Sequence, residues 1–216
     1  MTDSETTVFL VDDDPSVLRG LERLLRAAGL AVRGFTSPEA FLEQHDPAAP
    51  GCAVLDLAMS GLSGLELQRA LAARGGDRPV IFLTGRGDIA ASVQAMKAGA
   101  TDFLTKPVAA VDLVTAVRLG IEKDRQARAA RAGLEAIERR LATLTPREHE
   151  VLRQVVAGRL NKQIAADLGT AEKTVKVHRG RMMVKMGVRS VAELVRMTTD
   201  IGIARDRARP PDGTKV

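Results

Sequence analysis

The sequence predicts two domains of different class. The first is an α/β domain on a doubly wound parallel sheet, over residues 1–119. The second is a small all-α domain of four helices, over residues 144–204. Three observations predict this. Short apolar runs alternate with amphipathic helical stretches through the first half. The second half reads as short helices punctuated by glycines. The charge also changes sign: residues 1–119 carry 11 Lys and Arg against 15 Asp and Glu, and residues 120–216 carry 21 against 12.

Val8-Phe9-Leu10-Val11 is a buried strand that ends in Asp12-Asp13-Asp14. Asp14 before Pro15 is an N-cap and first-turn pair. Leu18, Leu21, Leu24 and Leu25 recur at helical spacing, and Gly29 supplies the stop. Ala31–Phe35 is the second strand, and Ser37-Pro38-Glu39 opens the second helix. In the third strand, Cys52–Leu57, four apolar residues run into Asp56 between Pro50-Gly51 and Ser60-Gly61. A turn at Gly61–Gly64 leads to a helix marked by Leu65, Leu67, Ala70 and Leu71, ending near Gly75-Gly76. Pro79–Leu83 is a strand ending in Thr84. Residues 88–98 are helical, Thr101–Leu104 is the fifth strand, and a helix starts at about Val108 after Lys106-Pro107.

Residues 120–143 are rich in Ala, Arg and Glu and read as a helical linker. Leu134, Ile137, Leu141 and Leu144 form one apolar stripe, suited to a solvated helix or to a dimer contact. Thr145-Pro146-Arg147-Glu148 is a capping box that opens the second domain. Helices are expected over 146–157, 161–168, 171–186 and 190–199, the last behind a second box, Ser190–Glu193. Residues 205–216 are basic, contain Pro210-Pro211, and are expected to form a disordered tail.

With 216 residues the chain can hold two small domains. It has no apolar run that could span a bilayer and no secretory signal pattern, so a cytoplasmic, non-membrane protein is expected. The lone Cys52 suits packing within its strand rather than redox chemistry. The basic second half suits a polyanionic partner.

Asp12, Asp13, Asp56 and Thr84 fall at carboxyl ends of strands, and Lys106 follows the fifth. In a doubly wound sheet these ends share one edge, where ligands bind. Carboxylates held together repel and lose solvation, so the cluster calls for a hard divalent cation such as Mg²⁺. With a lysine and a hydroxyl beside it, Asp56 is suited to accept a phosphoryl group. An aspartyl-phosphate hydrolase of the haloacid-dehalogenase type would carry a second Asp two residues after the nucleophile. That position is Ala58, so an enzyme is not expected.

Residues 8–120 resemble the receiver domain of bacterial two-component response regulators, a flavodoxin-like fold. The resemblance rests on Val11-Asp12-Asp13, Val54-Leu55-Asp56, Thr84-Gly85 and Lys106-Pro107. It implies that Asp56 is phosphorylated by a sensor histidine kinase. It further implies that Asp13, Asp56 and the Ala58 carbonyl hold Mg²⁺, with Asp12 holding a water of the ion. Thr84 and Lys106 would bind phosphoryl oxygens, Phe103 would turn inward with Thr84, and Lys106-Pro107 would be cis. Met59-Ser60-Gly61 replaces the family's usual Met-Pro-Gly, which is expected to loosen that loop without removing a ligand. Ala58 and Arg86 occupy positions that tune dephosphorylation in the family.

Asn161–Leu168, Gly169-Thr170 and Ala171–Met186 have the form of a helix-turn-helix. On the second helix, Val175, His178, Met182 and Met186 are expected to face inward. Lys173, Thr174, Lys176, Val177, Arg179, Arg181 and Lys185 are expected on the open side. The stretch 144–200 resembles the LuxR/NarL-type DNA-binding domain. The matching positions include Leu144–Glu148, Glu150-Val151-Leu152, Asn161-Lys162, Ile164-Ala165, Thr174-Val175-Lys176 and Lys185-Met186. This implies DNA binding as a dimer, with Lys176 and Val177 near base edges and Lys162, Thr174, His178 and Arg179 near the backbone. Gly180 departs from a good helix former at a cost of roughly 1 kcal/mol.

Both halves together resemble the NarL/FixJ family, the FixJ branch above all. The expected function is a transcription regulator activated by phosphorylation of Asp56, which dimerises, binds promoter DNA and acts on RNA polymerase. The alternative is an atypical regulator that works without phosphorylation.

Overall fold

The computed structural model describes residues 6–75, 78–85 and 89–200. Arg86 and the expected tail, 205–216, lie outside the described residues. The chain divides into two compact units, Met1–Arg128 and Ala129–Val216.

In the first unit, β1 (Thr7–Val11), β2 (Ala31–Phe35), β3 (Gly51–Asp56), β4 (Val80–Thr84) and β5 (Asp102–Thr105) form one parallel sheet of order β2-β1-β3-β4-β5. The order reverses between β1 and β3, so the site edge lies where Val11 pairs with Leu55. Both faces are covered, which is why the strands read as unbroken apolar runs. Phe9, Val11, Ala53, Leu55 and Phe82 face one core. Val8, Leu10, Cys52, Val54, Ile81 and Leu83 face the other, with α1 (Pro15–Ala27) and the start of α5 (Ala110–Ala142) packed on them. Burial pushes the Cys52 thiol up to about 12, which leaves it an inert core residue.

The local signals act as chemistry requires. The Asp14 side chain accepts from the amides of Ser16 and Val17 and caps α1. Ser37 caps α2 (Pro38–Gln44), and Ser63 with Glu66 forms a capping box on α3 (Gly64–Ala73). Gly64 allows α3 to start against the site strand: a Cβ there would lie 2.4 Å from the Asp56 carbonyl oxygen. Gly51 has φ +140, and a Cβ there would fall 1.8 Å from the Thr7 carbonyl oxygen. The helix α4 spans Ile89–Lys97.

A second set of contacts closes the opposite edge of the sheet. Asp124 on α5 accepts from the Gly51 amide at 2.8 Å and from Arg128 at 2.7 Å. Arg128 also donates to the carbonyls of Pro47, Ala48 and Ala49.

The second unit holds the end of α5 with α6 (Pro146–Val156), α7 (Asn161–Asp167), α8 (Glu172–Met186) and α9 (Val191–Asp200). Val151, Leu152, Val155, Ile164, Val175 and Met182 are buried together, and Ile137 and Leu141 pack against them. Part of the apolar stripe before Leu144 is thus core, while Leu134 is exposed. Thr145 and Glu148 form the capping box on α6. At α9 the Ser190 hydroxyl accepts from the Glu193 amide, but the Glu193 carboxylate takes the amide of Arg189.

Lys185 does not lie with the open basic groups of α8. Its Nζ donates to Glu148 at 2.6 Å and to the Thr143 carbonyl at 2.9 Å. Lys185 and the Thr145 amide hold the Glu148 carboxyl down to about 2. The folded value lies below the usual 4.5, so this stabilisation is present above that pH and is lost as pH falls toward 2. On acidification through that window the second unit should loosen, followed by the methyl resonances of Ile164 and Val175. Glu148→Gln should be less stable at neutral pH and show a flatter acid limb.

Candidate functional site

The carboxyl edge of the sheet gathers three carboxylates within 4.8 Å of one another: Asp12, Asp13 and Asp56. Asp12 and Asp56 are 2% and 7% exposed, while Asp13 is half-buried. Lys106 reaches in from the loop after β5. Its Nζ lies 2.6 Å from Asp12 Oδ2 and 2.9 Å from Asp56 Oδ1. Lys106-Pro107 is a cis peptide.

The electrostatics follow from burial. Desolvation raises the Asp56 carboxyl above its ordinary value, against the hydrogen bond and charge of Lys106. The two carboxylates raise Lys106, although burial alone would lower it. Three carboxylates and one ammonium leave a net double negative charge on oxygen donors. That donor set fits a hard divalent cation.

Ser60 is the feature that sequence reasoning missed. Its amide donates to Asp13 Oδ2 at 2.8 Å, and its hydroxyl donates to the same oxygen. These two bonds, the hydroxyl's first, hold the Asp13 carboxyl below its usual range. The loop expected to be loosened by the missing proline is therefore tied to a candidate ligand. Proline has no N–H to give, so the serine adds donors that the usual residue lacks.

Thr84 is 5% exposed and turns its hydroxyl back to the Gly85 carbonyl at 3.1 Å. Phe103 is half-buried, 6.4 Å from Phe82 between ring centroids. Ala58 is exposed beside Asp56. The first unit thus pairs Lys106 with Asp12 and Asp56, sets Asp13 within 4.8 Å of both carboxylates, and leaves Thr84 facing its own turn.

Residues 8–118 match the response regulator receiver domain, and residues 142–198 match the luxR family of bacterial regulatory proteins. The chain belongs to the response regulators that join these two domains. Similar proteins agree along their length. Nodulation protein W of Bradyrhizobium diazoefficiens is 44% identical over 93% of this chain and 88% of its own. The transcriptional regulatory protein FixJ of Azorhizobium caulinodans is 43% identical over 94% and 97%. Among solved structures, the response regulator StyR matches with a TM-score of 0.84 at 46% identity, covering 90% of this chain and 98% of that one. Full-length FixJ from B. japonicum matches with a TM-score of 0.57 at 36% identity, covering 91% and 97%. The regulator is a DNA-binding transcription regulator with a phospho-acceptor fold. Its families imply a histidine kinase and promoter DNA as partners, and they are families of regulators rather than of enzymes. Among the described residues no helix is long and apolar enough to cross a membrane.

In its LuxR-type unit, Lys162, Thr174, Lys176 and Val177 are exposed, and His178 and Arg179 are half-buried. Lys176 pairs with Glu172 at 3.1 Å, one turn earlier on α8. Arg179 Nη1 donates to Asn161 Oδ1 at 2.8 Å and so joins α8 to the start of α7. Gly180 faces open space, with no atom within 4 Å of an added Cβ.

The raised Asp56 carboxyl has a sign for stability. Its charged form costs the fold at neutral pH, and protonation relieves that cost as pH falls through the folded value. Without divalent cation at pH 7, Asp56→Asn should melt a few degrees above the parent, because Lys106 keeps Asp12. The gap should narrow as pH falls into the carboxylate range. A calorimetric series over pH reads it.

Proposed function

We propose that Asp56 is the input of this regulator and α8 is its output. An Asp56 oxygen attacks the phosphorus of a phosphohistidine on a sensor kinase. The P–N bond breaks, the P–O bond of an acyl phosphate forms, and the histidine nitrogen keeps the electron pair. The observation that carries the reading is Asp56 itself, a buried carboxylate 2.9 Å from a lysine at the open edge of the sheet.

Mg²⁺, when bound, neutralises charge on the transferred oxygens. Asp13, Asp56 and the Ala58 carbonyl would hold it, with Asp12 beside it. Lys106 moves from Asp56 Oδ1 onto a phosphoryl oxygen. Thr84 turns from the Gly85 carbonyl to donate to another, and Phe103 follows it inward. These shifts alter the outer face of α4 and β5, where two phosphorylated receivers pair. The paired LuxR-type units then bind promoter DNA in the cytoplasm, within reach of RNA polymerase. Lys176 and Val177 read base edges, and Lys162, Thr174, His178 and Arg179 hold the backbone. The chain turns over no substrate of its own in this scheme.

Purified protein with Mg²⁺ and a small phosphodonor should gain one phosphoryl group, read by intact mass. Asp56→Asn should gain none, and equal incorporation would remove Asp56 from the role. Sequencing the genomic fragments bound by phosphorylated protein supplies an operator. On that fragment Lys176→Ala should weaken binding by about 1–3 kcal/mol, read by fluorescence anisotropy at fixed salt. Unchanged affinity would take α8 out of base recognition.

A further inference from the structure

We infer that Ser60 is a positioning residue for the divalent cation of the acid site, holding the Asp13 carboxylate by one oxygen so that the other is left for the ion. The inference rests on the reading that Asp13 is a ligand of Mg²⁺.

The three carboxylates of the site are not held alike. Lys106 lies 2.6 Å from Asp12 and 2.9 Å from Asp56. Asp12 also accepts from the Asp14 amide through Oδ1 at 3.0 Å. For Asp13, which is half-buried, Lys106 is the smallest of the influences on the carboxyl, and the largest are the two hydrogen bonds from Ser60.

Both of those bonds end on Oδ2, one from the amide at 2.8 Å and one from the hydroxyl. A carboxylate oxygen has about two lone-pair sites, so two donors fill Oδ2. Oδ1 is the oxygen free of the serine. A cation can take it without breaking either bond. Mg²⁺ demands near-ideal octahedral geometry, so a carboxylate already fixed in place is a better ligand than one that must first be ordered. Hydrogen bonds from outside the ligand shell commonly supply that fixing.

The serine is itself fixed. Met59 before it is 8% exposed and belongs to a core of the sheet. Gly61 after it has φ +84, which glycine adopts without strain. The Gly64 amide closes the loop on the Leu57 carbonyl at 3.0 Å, and the Leu57 amide donates to the Leu83 carbonyl at 2.8 Å. Asp13 follows β1, whereas Ser60 follows Asp56 at the end of β3. The serine therefore joins two segments that carry ligands and helps to set their spacing.

The test uses the full chain and titrates Mg²⁺ at fixed pH and ionic strength, following the amide resonances of Asp13, Leu57 and Ala58. The parent should saturate. Ser60→Ala keeps the amide but loses the hydroxyl, and should weaken binding by about tenfold. Ser60→Pro loses both donors and should bind more weakly still. Ser60→Thr keeps both and should bind like the parent, a rescue that separates the hydroxyl from the mere bulk of a side chain. Parental binding by Ser60→Ala or Ser60→Pro would overturn the inference, as would a Ser60→Thr as weak as Ser60→Ala. Tighter binding by Ser60→Ala would also overturn it, because the serine would then be competing with the ion. Asp13→Asn separates this result from the reading beneath it, and should weaken binding more than Ser60→Ala does. If Asp13→Asn binds like the parent, Asp13 is no ligand and that reading falls with the inference. If Asp13→Asn is weakened and Ser60→Ala is not, only the role of the serine falls.

Discussion

One lysine reconciles a sheet edge with its own charges. Asp12 and Asp56 are almost fully buried, side by side, where neither can be solvated. Lys106 spans them at 2.6 and 2.9 Å from the far side of the sheet. The pairing leaves the cluster short of neutral, and burial still raises Asp56. A carboxylate held in that condition gains from any cation or chemistry that disperses its charge. The fold therefore carries a charged, poorly solvated site at the sheet edge, with Thr84 at the end of the neighbouring strand β4.

The sheet explains how much of the first unit was legible. A parallel sheet covered on both faces needs continuous apolar strands, and those runs stand out between glycines and prolines. The carboxyl-end positions of Asp12, Asp56 and Thr84 follow from the same runs, because each strand ends where its polar residue begins. Helix starts at Asp14, Ser37 and Thr145 were legible because capping is local chemistry. The capping box at Ser63 was not, because the turn Gly61–Gly64 masked it in the sequence.

The second unit shows the limit of reading charge from a helix. Lys173, Lys176 and Lys185 look alike as basic residues on α8. Lys176 stays exposed beside Glu172, whereas Lys185 turns inward to the buried Glu148. Arg179 likewise spends one donor on Asn161. Which lysine serves the fold and which is left for a polyanion depends on where α6 crosses α8.

The sequence by itself determined the strand and helix order, the apolar cores, and the presence of an acid cluster with a lysine. These rest on local periodicity and on positions at element ends. Only the tertiary structure decided how the groups meet. Ser60 ties its loop to Asp13 across 47 residues. Arg128 captures the carbonyls of Pro47, Ala48 and Ala49. Arg78 donates to the carbonyls of Asp46 and Ala49 and lies over the Phe9 ring. Such contacts depend on the separation and angle of packed elements, and no pattern along the chain encodes those.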